Sequence, residues 1–423
     1  MNDPAVERGG PVPLSERIPS IDILRGFALF GILLVNMHLF GFPAQELLIG
    51  SEESGPLLDR IAAWGIQVFA ESKFYPIFSF LFGLGFALQI QRAEARGTRF
   101  VPFYLRRLFI LLLIGVAHAV FIWVGDILVL YALLGAILLL FFRKRSPRTL
   151  LVWTGVFLAV SVLLPVGLSG LALLAKLTPA GAAEVSASFA ESEAGLRAEA
   201  AQAALVYATG SFAEITLQRL SDLRLMYSVA IFLAFNAFAM FLLGLYVGRR
   251  GIFRNISAHV PLLKKIFWWG FVLGASSNLA YAIVNGGSEF ALPTWMDLLA
   301  DSVRTIGAPV LALSYIAGLT LLLQHDAWRV RLGPLAAVGR MALTNYLLQS
   351  FVATTIFYGY GFGLFGQIGP ALGVVLTVAI FTAQIPLSMW WLGRFQFGPV
   401  EWLWRTLTYL RWQPLRLASD PRR

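Results

Sequence analysis

The chain has 423 residues and a net charge of +10, yet only 13% of its residues are charged and 58% are hydrophobic. Soluble domains carry charges at about a quarter of their positions, so this composition excludes a water-facing surface and indicates a chain embedded in lipid. The absence of cysteine excludes disulfides and thiol chemistry. Four histidines without HxxH or HExxH spacing predict no metal site. The basic residues fall in short loops between apolar runs, so no nucleic acid is expected as a partner.

The chain contains ten apolar runs, most of which reach the length of about 20 mainly apolar residues that a membrane-spanning helix needs, while the run 126–142 is marginal. The chain is therefore predicted to be an all-α, polytopic integral membrane protein. Residues 1–19 precede the first run and are polar and rich in Pro and Gly, which predicts a disordered tail. The ten runs are residues 21–42, 66–90, 103–124, 126–142, 149–175, 225–248, 262–284, 303–323, 335–358 and 368–392.

The distribution of Lys and Arg predicts the orientation in the membrane. Basic connections alternate with neutral or acidic ones along the whole chain, and basic loops remain on the cytoplasmic side. The pattern predicts about ten spans with both termini cytoplasmic, in the bacterial inner membrane. The predicted parts are a disordered tail (1–19), an N-terminal five-helix half (20–176), an extracytoplasmic helical insert (177–224), a C-terminal five-helix half (225–392), and a cytoplasmic interfacial amphipathic helix with a tail (393–423).

Ionisable side chains inside a membrane are costly and therefore mark candidate sites. Near the cytoplasmic end of the first run, Asp22 and Arg25 are three residues apart and share one helix face. One interpretation is a capped helix start anchored at the interface, and the other is an inner-side site for an anionic donor. Arg106, Arg107 and Arg340 lie at cytoplasmic ends of other runs and are candidates for the same site.

A second polar group is predicted on the outer side. Asn36 and His38 lie near the end of the first run, and Glu71 and Lys73 lie at the mouth of the second run. Ordinary interface residues are one explanation for this group. The other is an outer functional site, in which Lys73 or Asn36 stabilises a developing oxyanion during acyl transfer, or Glu71 belongs to a relay in a transporter.

The third candidate is His118, in the outer half of its run about a turn and a half from the end. A tight turn at Gly125 returns the chain, so Asp126 begins the antiparallel neighbour and is expected to reach His118 directly or through water. A carboxylate that orients an imidazole makes it a general base. The alternatives are an interhelical hydrogen bond and proton or ion coupling.

The run over 335–358 carries polar side chains well inside a span, including Thr344, Asn345 and Gln349. Polar contacts between helices are one interpretation. A bound polar ligand is the alternative, in which Asn345 contacts the donor.

Five segments of the chain form an ordered set of motifs, namely RIPSIDILRGFALFGILLVNM, ESKFYPIFSFLFGLGFAL, RRLFILLLIGVAHAVFIWVGDILVLYALLGAILL, GRMALTNYLLQS and FGPVEWLWRTLTYLRWQPLR. Together they resemble the YeiB-like bacterial membrane protein family (domain of unknown function 418), for which a transport role has been suggested. The family is distantly similar to transmembrane acyltransferases of the heparan-α-glucosaminide acetyltransferase type, which share an Arg-Gly start to the first span. That similarity implies acetyl-CoA or another acyl-CoA as a cytosolic donor, an acceptor across the membrane, and a membrane-embedded His, for which His38 and His118 are the candidates.

The leading hypothesis is acyl transfer across the membrane to a sugar or lipid acceptor, with His118 as general base and Asp126 orienting it. The alternative is a transporter of a small solute or lipid-linked precursor, in which His118, Asp126 and Glu71 form a relay. A third hypothesis is a non-catalytic component that binds a partner through the insert. Membrane lipids are expected partners in each case, and the sequence predicts neither the substrate nor the oligomeric state.

Overall fold

The computed structural model describes residues 18–49, 55–285 and 294–417. These residues form helices and no β-strand, apart from an isolated antiparallel bridge between Phe395 and Arg416. The prediction of an all-α fold is confirmed. The helices are α1 (Pro19–Gly41), α2 (Glu46–Ile49), α3 (Leu57–Phe69), α4 (Phe74–Ala95), α5 (Phe100–Phe121), α6 (Leu128–Ile137), α7 (Pro147–Ala175), α8 (Pro179–Thr209), α9 (Phe212–Arg249), α10 (Val260–Asn285), α11 (Trp295–Leu322), α12 (Asp326–Arg340), α13 (Ala342–Phe357), α14 (Pro370–Leu392) and α15 (Pro399–Tyr409).

Within the described residues, eight helical segments are long and apolar enough to cross a membrane. The predicted run 126–142 coincides with a shorter apolar helix over Leu128–Phe142, and the run 335–358 is divided between α12 and α13. Each of the ten predicted runs therefore falls on helix, and the chain is a multi-pass membrane protein. The number of ten spans and the side on which the termini lie remain predictions. The eight segments are Pro19–Gly41, Leu57–Ala95, Phe100–Phe121, Pro147–Ala175, Phe212–Arg249, Ser257–Val284, Trp295–Leu322 and Pro370–Leu392.

The run predicted over 66–90 is broken near its start, because α3 ends at Phe69 and α4 begins at Phe74. Pro76 supplies the physical reason. It has no amide hydrogen, and in a continuous helix its ring would clash with the carbonyl four residues earlier. That carbonyl belongs to Ser72, which adopts φ 64°, a left-handed conformation that is uncommon outside glycine. The sequence therefore contained the signal for the break.

The run predicted over 335–358 is also interrupted, at Met341 between α12 and α13. The first amides of α13 have no partner inside their own helix, and a carboxylate from α15 accepts them. Glu401 Oε1 accepts hydrogen bonds from the amides of Leu343 at 2.7 Å and Thr344 at 3.1 Å. Helix α15 therefore packs against the bundle and caps α13, in addition to presenting an exposed apolar side.

The insert predicted over 177–224 consists of α8 and the first turns of α9. Helix α9 begins after a capping box formed by Ser211 and Glu214 and continues without a break to Arg249. The insert and the span that follows it therefore share one helix, and 224 is not a helix boundary. Residues 1–17 of the predicted tail, 418–423 of the predicted C-terminal tail and most of the connection between α10 and α11 lie outside the described residues.

Glycines allow the closest crossings between helices. On α4, Gly83 faces the main chain of Phe241, and on α9, Gly244 faces the main chain of Phe80. A Cβ atom at either glycine would overlap the neighbouring backbone. The α4–α9 pair therefore packs backbone to backbone, as small residues permit in membrane helices.

Helix α1 lies inside the bundle and packs against α4, α11, α12, α13 and α14. Gly26 of α1 is in contact with the main chain of Leu335 on α12. Contacts of α1 with α12–α14 and of α4 with α9 join the predicted N-terminal half to the predicted C-terminal half, so the two halves share a single packed interior.

Candidate functional site

His118 and Asp126 form a direct pair at the end of α5. His118 Nδ1 lies 2.7 Å from Asp126 Oδ2, and both side chains are 1% exposed. The other carboxylate oxygen of Asp126 accepts the amide of Val129 at 2.9 Å, which caps the start of α6. A carboxylate accepts but does not donate, so Nδ1 carries the shared hydrogen, and in the neutral imidazole Nε2 is the nitrogen without a hydrogen. The direct contact between Asp126 and His118 that the sequence predicts is therefore present.

Aromatic rings enclose the imidazole of His118. The ring of Tyr346 on α13 lies 5.1 Å from it, centroid to centroid, and that of Trp123 lies 6.2 Å away. Nε2 is buried and has no hydrogen-bond partner among the described residues. A buried unpaired nitrogen is costly, which is consistent with a group that needs a partner during function.

A cavity of about 890 Å³ opens beside this pair. Its wall is built from α1, α4, α5, α6, the α12–α13 junction and α15. Tyr131 and Tyr346 form part of its wall, while His118 itself is not part of the lining. Tyr346 therefore stands between the cavity and the imidazole. Eight arginines line the cavity, namely Arg25, Arg92, Arg96, Arg99, Arg107, Arg340, Arg405 and Arg411.

The charge of this arginine-lined cavity is strongly unbalanced. Among its described lining residues, only Asp22 and Glu401 are acidic. Asp22 accepts a hydrogen bond from Arg25 at 2.8 Å, and Glu401 is engaged by the amides at the start of α13. Burial raises the pKa of Glu401. The lining therefore carries a surplus of positive charge, which suits a ligand with several negative charges.

The residues predicted to bind a donor divide into two sets. Asp22, Arg25, Arg107 and Arg340 line the cavity together, although they come from three separate stretches of the chain. The guanidinium carbon of Arg107 lies 3.7 Å from the centroid of the Trp404 ring on α15, a cation–π contact that holds this arginine in the wall.

Arg106 and Asn345 do not line the cavity. Asn345 Nδ2 donates to Val338 O at 3.2 Å and to Ser388 Oγ at 3.0 Å. Gln349 of α13 donates to Gln384 of α14 at 2.8 Å, so a second polar contact joins α13 to α14. These contacts fit the interpretation of this run as polar contacts between helices.

The polar residues predicted on the outer side are divided between two places, neither of which includes His118. His38, in the last turn of α1, pairs with Glu46 at the start of α2, and the distance from Nε2 to Oε2 is 3.2 Å. At the α3–α4 break, Glu71 forms an ion pair with Arg304 of α11, and Lys73 Nζ donates to Gln67 O at 2.6 Å. No contact joins Lys73 to His118 among the described residues.

Asn36 is half-buried on α1, and no hydrogen bond brings its side chain to His118 within the described ranges. The predicted role of Lys73 or Asn36 as an oxyanion donor therefore has no geometric support. Among the residues that the structure describes, no group of three or more His, Asp or Glu side chains could hold a metal ion.

Sequence reasoning missed several members of these sites. Arg92, Arg96 and Arg99 were read only as an orientation signal, although they line the cavity. The sequence did contain a signal for this role. The predicted orientation places the basic ends of several spans on the same side of the membrane, where their arginines can line one cavity. The partnerships of Arg304 and Glu401 could not be read from spacing, because each joins segments more than 50 residues apart.

The fold and this site define a polytopic α-helical membrane protein whose bundle encloses an arginine-lined cavity beside a buried His–Asp pair. A family model described as "Protein of unknown function (DUF418)" matches residues 247–411. The chain is 39% identical over 421 residues to the uncharacterised protein YxaH of Bacillus subtilis (strain 168), covering 96% of this chain and 97% of the relative. It is 32% identical over 403 residues to the uncharacterised protein YeiB of Escherichia coli (strain K12), covering 93% and 96%. The chain belongs to the DUF418 family, and the predicted resemblance to the YeiB-like family is confirmed.

Proposed function

We propose that this protein is a membrane-embedded acyltransferase, which moves an acyl group from an acyl-CoA-type donor to a sugar or lipid acceptor. The observation that carries the proposal is the buried His118–Asp126 pair, with a free Nε2, one tyrosine away from an arginine-lined cavity. Asp126 holds the imidazole in the tautomer that leaves Nε2 as a base, which is the arrangement a general base needs.

The cavity supports a polyanionic donor rather than a neutral solute. Arg25, Arg107 and Arg340 are arranged around one space, and guanidinium groups match phosphate oxygens in geometry and charge. Coenzyme A carries several phosphate charges, and its thioester arm would extend past Tyr346 toward His118. We place the basic mouth of the cavity on the cytoplasmic side of the bacterial inner membrane, in agreement with the distribution of basic loops.

In the proposed reaction, an acceptor hydroxyl or amine gives its proton to His118 Nε2. The acceptor oxygen or nitrogen then forms a bond to the acyl carbon, the bond between that carbon and the donor sulfur breaks, and the departing thiolate takes the proton. His118 has to gain access to the cavity for this step, and displacement of the Tyr346 ring is the shortest route.

The test is transfer of label from acetyl-CoA labelled in the acetyl group, with the protein in nanodiscs and a panel of sugars and lipids as acceptors. We expect wild-type protein to transfer label and His118→Ala to lose about 10²–10⁴-fold in turnover while it still binds the donor. His38→Ala is the matched control, because His38 pairs with Glu46 in a separate place, and it is expected to keep wild-type turnover. Equal turnover in His118→Ala, or no transfer with any of several acyl donors, would refute the proposal.

A second candidate function, transport, is favoured by the broken helix α3–α4. The break lies against the middle of α1, because Phe74 contacts Gly31, the thirteenth of the 23 residues of that helix. Discontinuous helices with ionisable residues in the bundle interior are typical of substrate and ion sites in transporters. Here Lys73 is fully buried at the break, and Glu71, which is 41% exposed, forms an ion pair there with Arg304.

Transport predicts proton flux in proteoliposomes that depends on Glu71, read with an internal pH dye after a pH step in the presence of candidate solutes. Wild-type protein is expected to move the solute without changing it chemically, and Glu71→Gln is expected to abolish the proton flux. Under the acyltransferase proposal, the same variant transfers label at the wild-type rate, so the two functions give opposite results.

A further inference from the structure

A fully buried arginine, Arg219, contacts the end of α5 close to His118 and is not part of the cavity lining. Arg219 of α9 is 0% exposed, and its Nη1 donates to Val120 O at 2.6 Å. Its guanidinium carbon lies 5.8 Å from the centroid of the Tyr358 ring. Within the part of the chain that the structure describes, no carboxylate forms an ion pair with it. Burying a charge without an ionic partner is costly. The burial of Arg219 therefore needs a structural or functional explanation.

The reason lies in the helix end that Arg219 contacts. Val120 is in the last turn of α5, where backbone carbonyls have no partner within the helix and where a positive charge is favoured by the helix dipole. The same turn contains His118, whose own carbonyl accepts the amides of Ile122 and Trp123, both at 2.9 Å. Arg219 therefore fixes the turn that presents the imidazole.

Aromatic packing also holds the connection from this turn to Asp126. Trp123 is fully buried, and its ring centroid lies 4.0 Å from that of Phe40 on α1. The segment that joins His118 to Asp126 is therefore contacted twice, by Arg219 at Val120 and by Phe40 at Trp123.

A hydrogen-bond network around Asp222, three residues after Arg219 on α9, joins this part of α9 to α8 and to Gln45. Asp222 accepts hydrogen bonds from Tyr207 of α8 at 2.8 Å, from Gln218 at 3.0 Å, and from Gln45 near α2 at 3.1 Å. The helical insert of α8 and the first turns of α9 is therefore tied to the end of α5 through two buried side chains.

We propose that Arg219 is a positioning residue for the His118–Asp126 pair: its hydrogen bond to Val120 O sets the distance at which Nδ1 meets Oδ2. The proposal rests on the proposed function only in assigning proton transfer to that pair. The insert, which consists of α8 and the first turns of α9, then supports the geometry of the His118–Asp126 pair and is not a separate binding module.

The experiment compares Arg219→Met with Arg224→Met, an exposed arginine five residues further along the same helix, in nanodiscs. Acyl transfer gives kcat and the KM for acetyl-CoA. Proton NMR gives the downfield Nδ1–H signal of His118, assigned by its loss in His118→Gln. We expect Arg219→Met to lower kcat roughly 10–100-fold with the donor KM unchanged within about twofold, and to broaden or abolish the Nδ1–H signal. Arg224→Met is expected to match wild type in all three.

Arg219→Lys keeps the charge but shortens the reach to Val120 O, and we expect intermediate kcat with the Nδ1–H signal shifted but present. If Arg219→Met fails to fold, the comparison is decided on the Lys variant. A folded Met or Lys variant with wild-type kcat and an unchanged signal would overturn the proposal, as would a loss confined to the donor KM. If wild type transfers no label but the signal still disappears in Arg219→Met, the acyltransferase proposal falls and the positioning role stands.

Discussion

Asp126 uses both of its carboxylate oxygens, one to orient His118 and the other to cap α6. The same side chain therefore sets the tautomer of the imidazole and the start of the next helix. This double use explains why a short turn at Gly125 suffices to build the pair, because the capped helix begins where the carboxylate already stands.

Asp126→Asn tests this double use. The Asn oxygen can still cap Val129, so its amide nitrogen turns toward His118 Nδ1. An amide nitrogen donates, which forces the imidazole into the tautomer with hydrogen on Nε2 and removes the base. We expect kcat for acyl transfer to fall about 10²–10⁴-fold, with the thermal unfolding midpoint close to wild type. A variant that keeps wild-type kcat would show that the tautomer of His118 is irrelevant to turnover.

At the scale of single residues, sequence reasoning succeeded where partners are close along the chain. His118 and Asp126 are eight residues apart, and Asp22 and Arg25 are three apart; both contacts are present. Sequence reasoning could not predict contacts between residues that only the packing of helices brings together, such as Glu71 with Arg304 or Arg219 with Val120. Hydropathy and spacing report which residues enter the membrane, but not which helix each one meets.

At the scale of elements, the positions of helices followed from apolar run length, whereas two interruptions did not. The break before Pro76 has a local cause that the sequence displays. The break at Met341 depends on Glu401, about 60 residues later, which accepts the first amides of α13. An interruption that relies on a distant carboxylate leaves no trace in local hydropathy.

The α4–α9 crossing gives a prediction at this scale. Gly244→Ala places a methyl group against the main chain of Phe80, and overpacking of this kind costs about 1–3 kcal/mol. We expect a lower thermal unfolding midpoint in nanodiscs. Gly155→Ala on α7 is the control, since nothing lies within 4 Å of a Cβ atom there. An equal effect of both substitutions would contradict close backbone packing at the crossing.

The topology of the whole molecule is testable because the chain contains no cysteine, so single cysteines can be introduced without background. Lys144→Cys and Ala183→Cys both replace exposed residues, one in a basic turn and the other on α8. We expect a membrane-impermeant maleimide added to intact cells to label Ala183→Cys only, and to label both after permeabilisation. Labelling of Lys144→Cys in intact cells would contradict the predicted orientation.

The central position of α1 has a consequence for how the protein is made. Helix α1 is synthesised long before its neighbours α12, α13 and α14, which begin only at Asp326, 285 residues after α1 ends at Gly41. At translation rates of about 5–20 residues per second, this interval lasts roughly 15–60 s. During it, α1 lacks the contacts with α12, α13 and α14 that it has in the complete bundle. Assembly in the cell therefore requires that the unfinished bundle hold a place for its last helices, and nascent chains that stop before Asp326 should be substrates for membrane quality control.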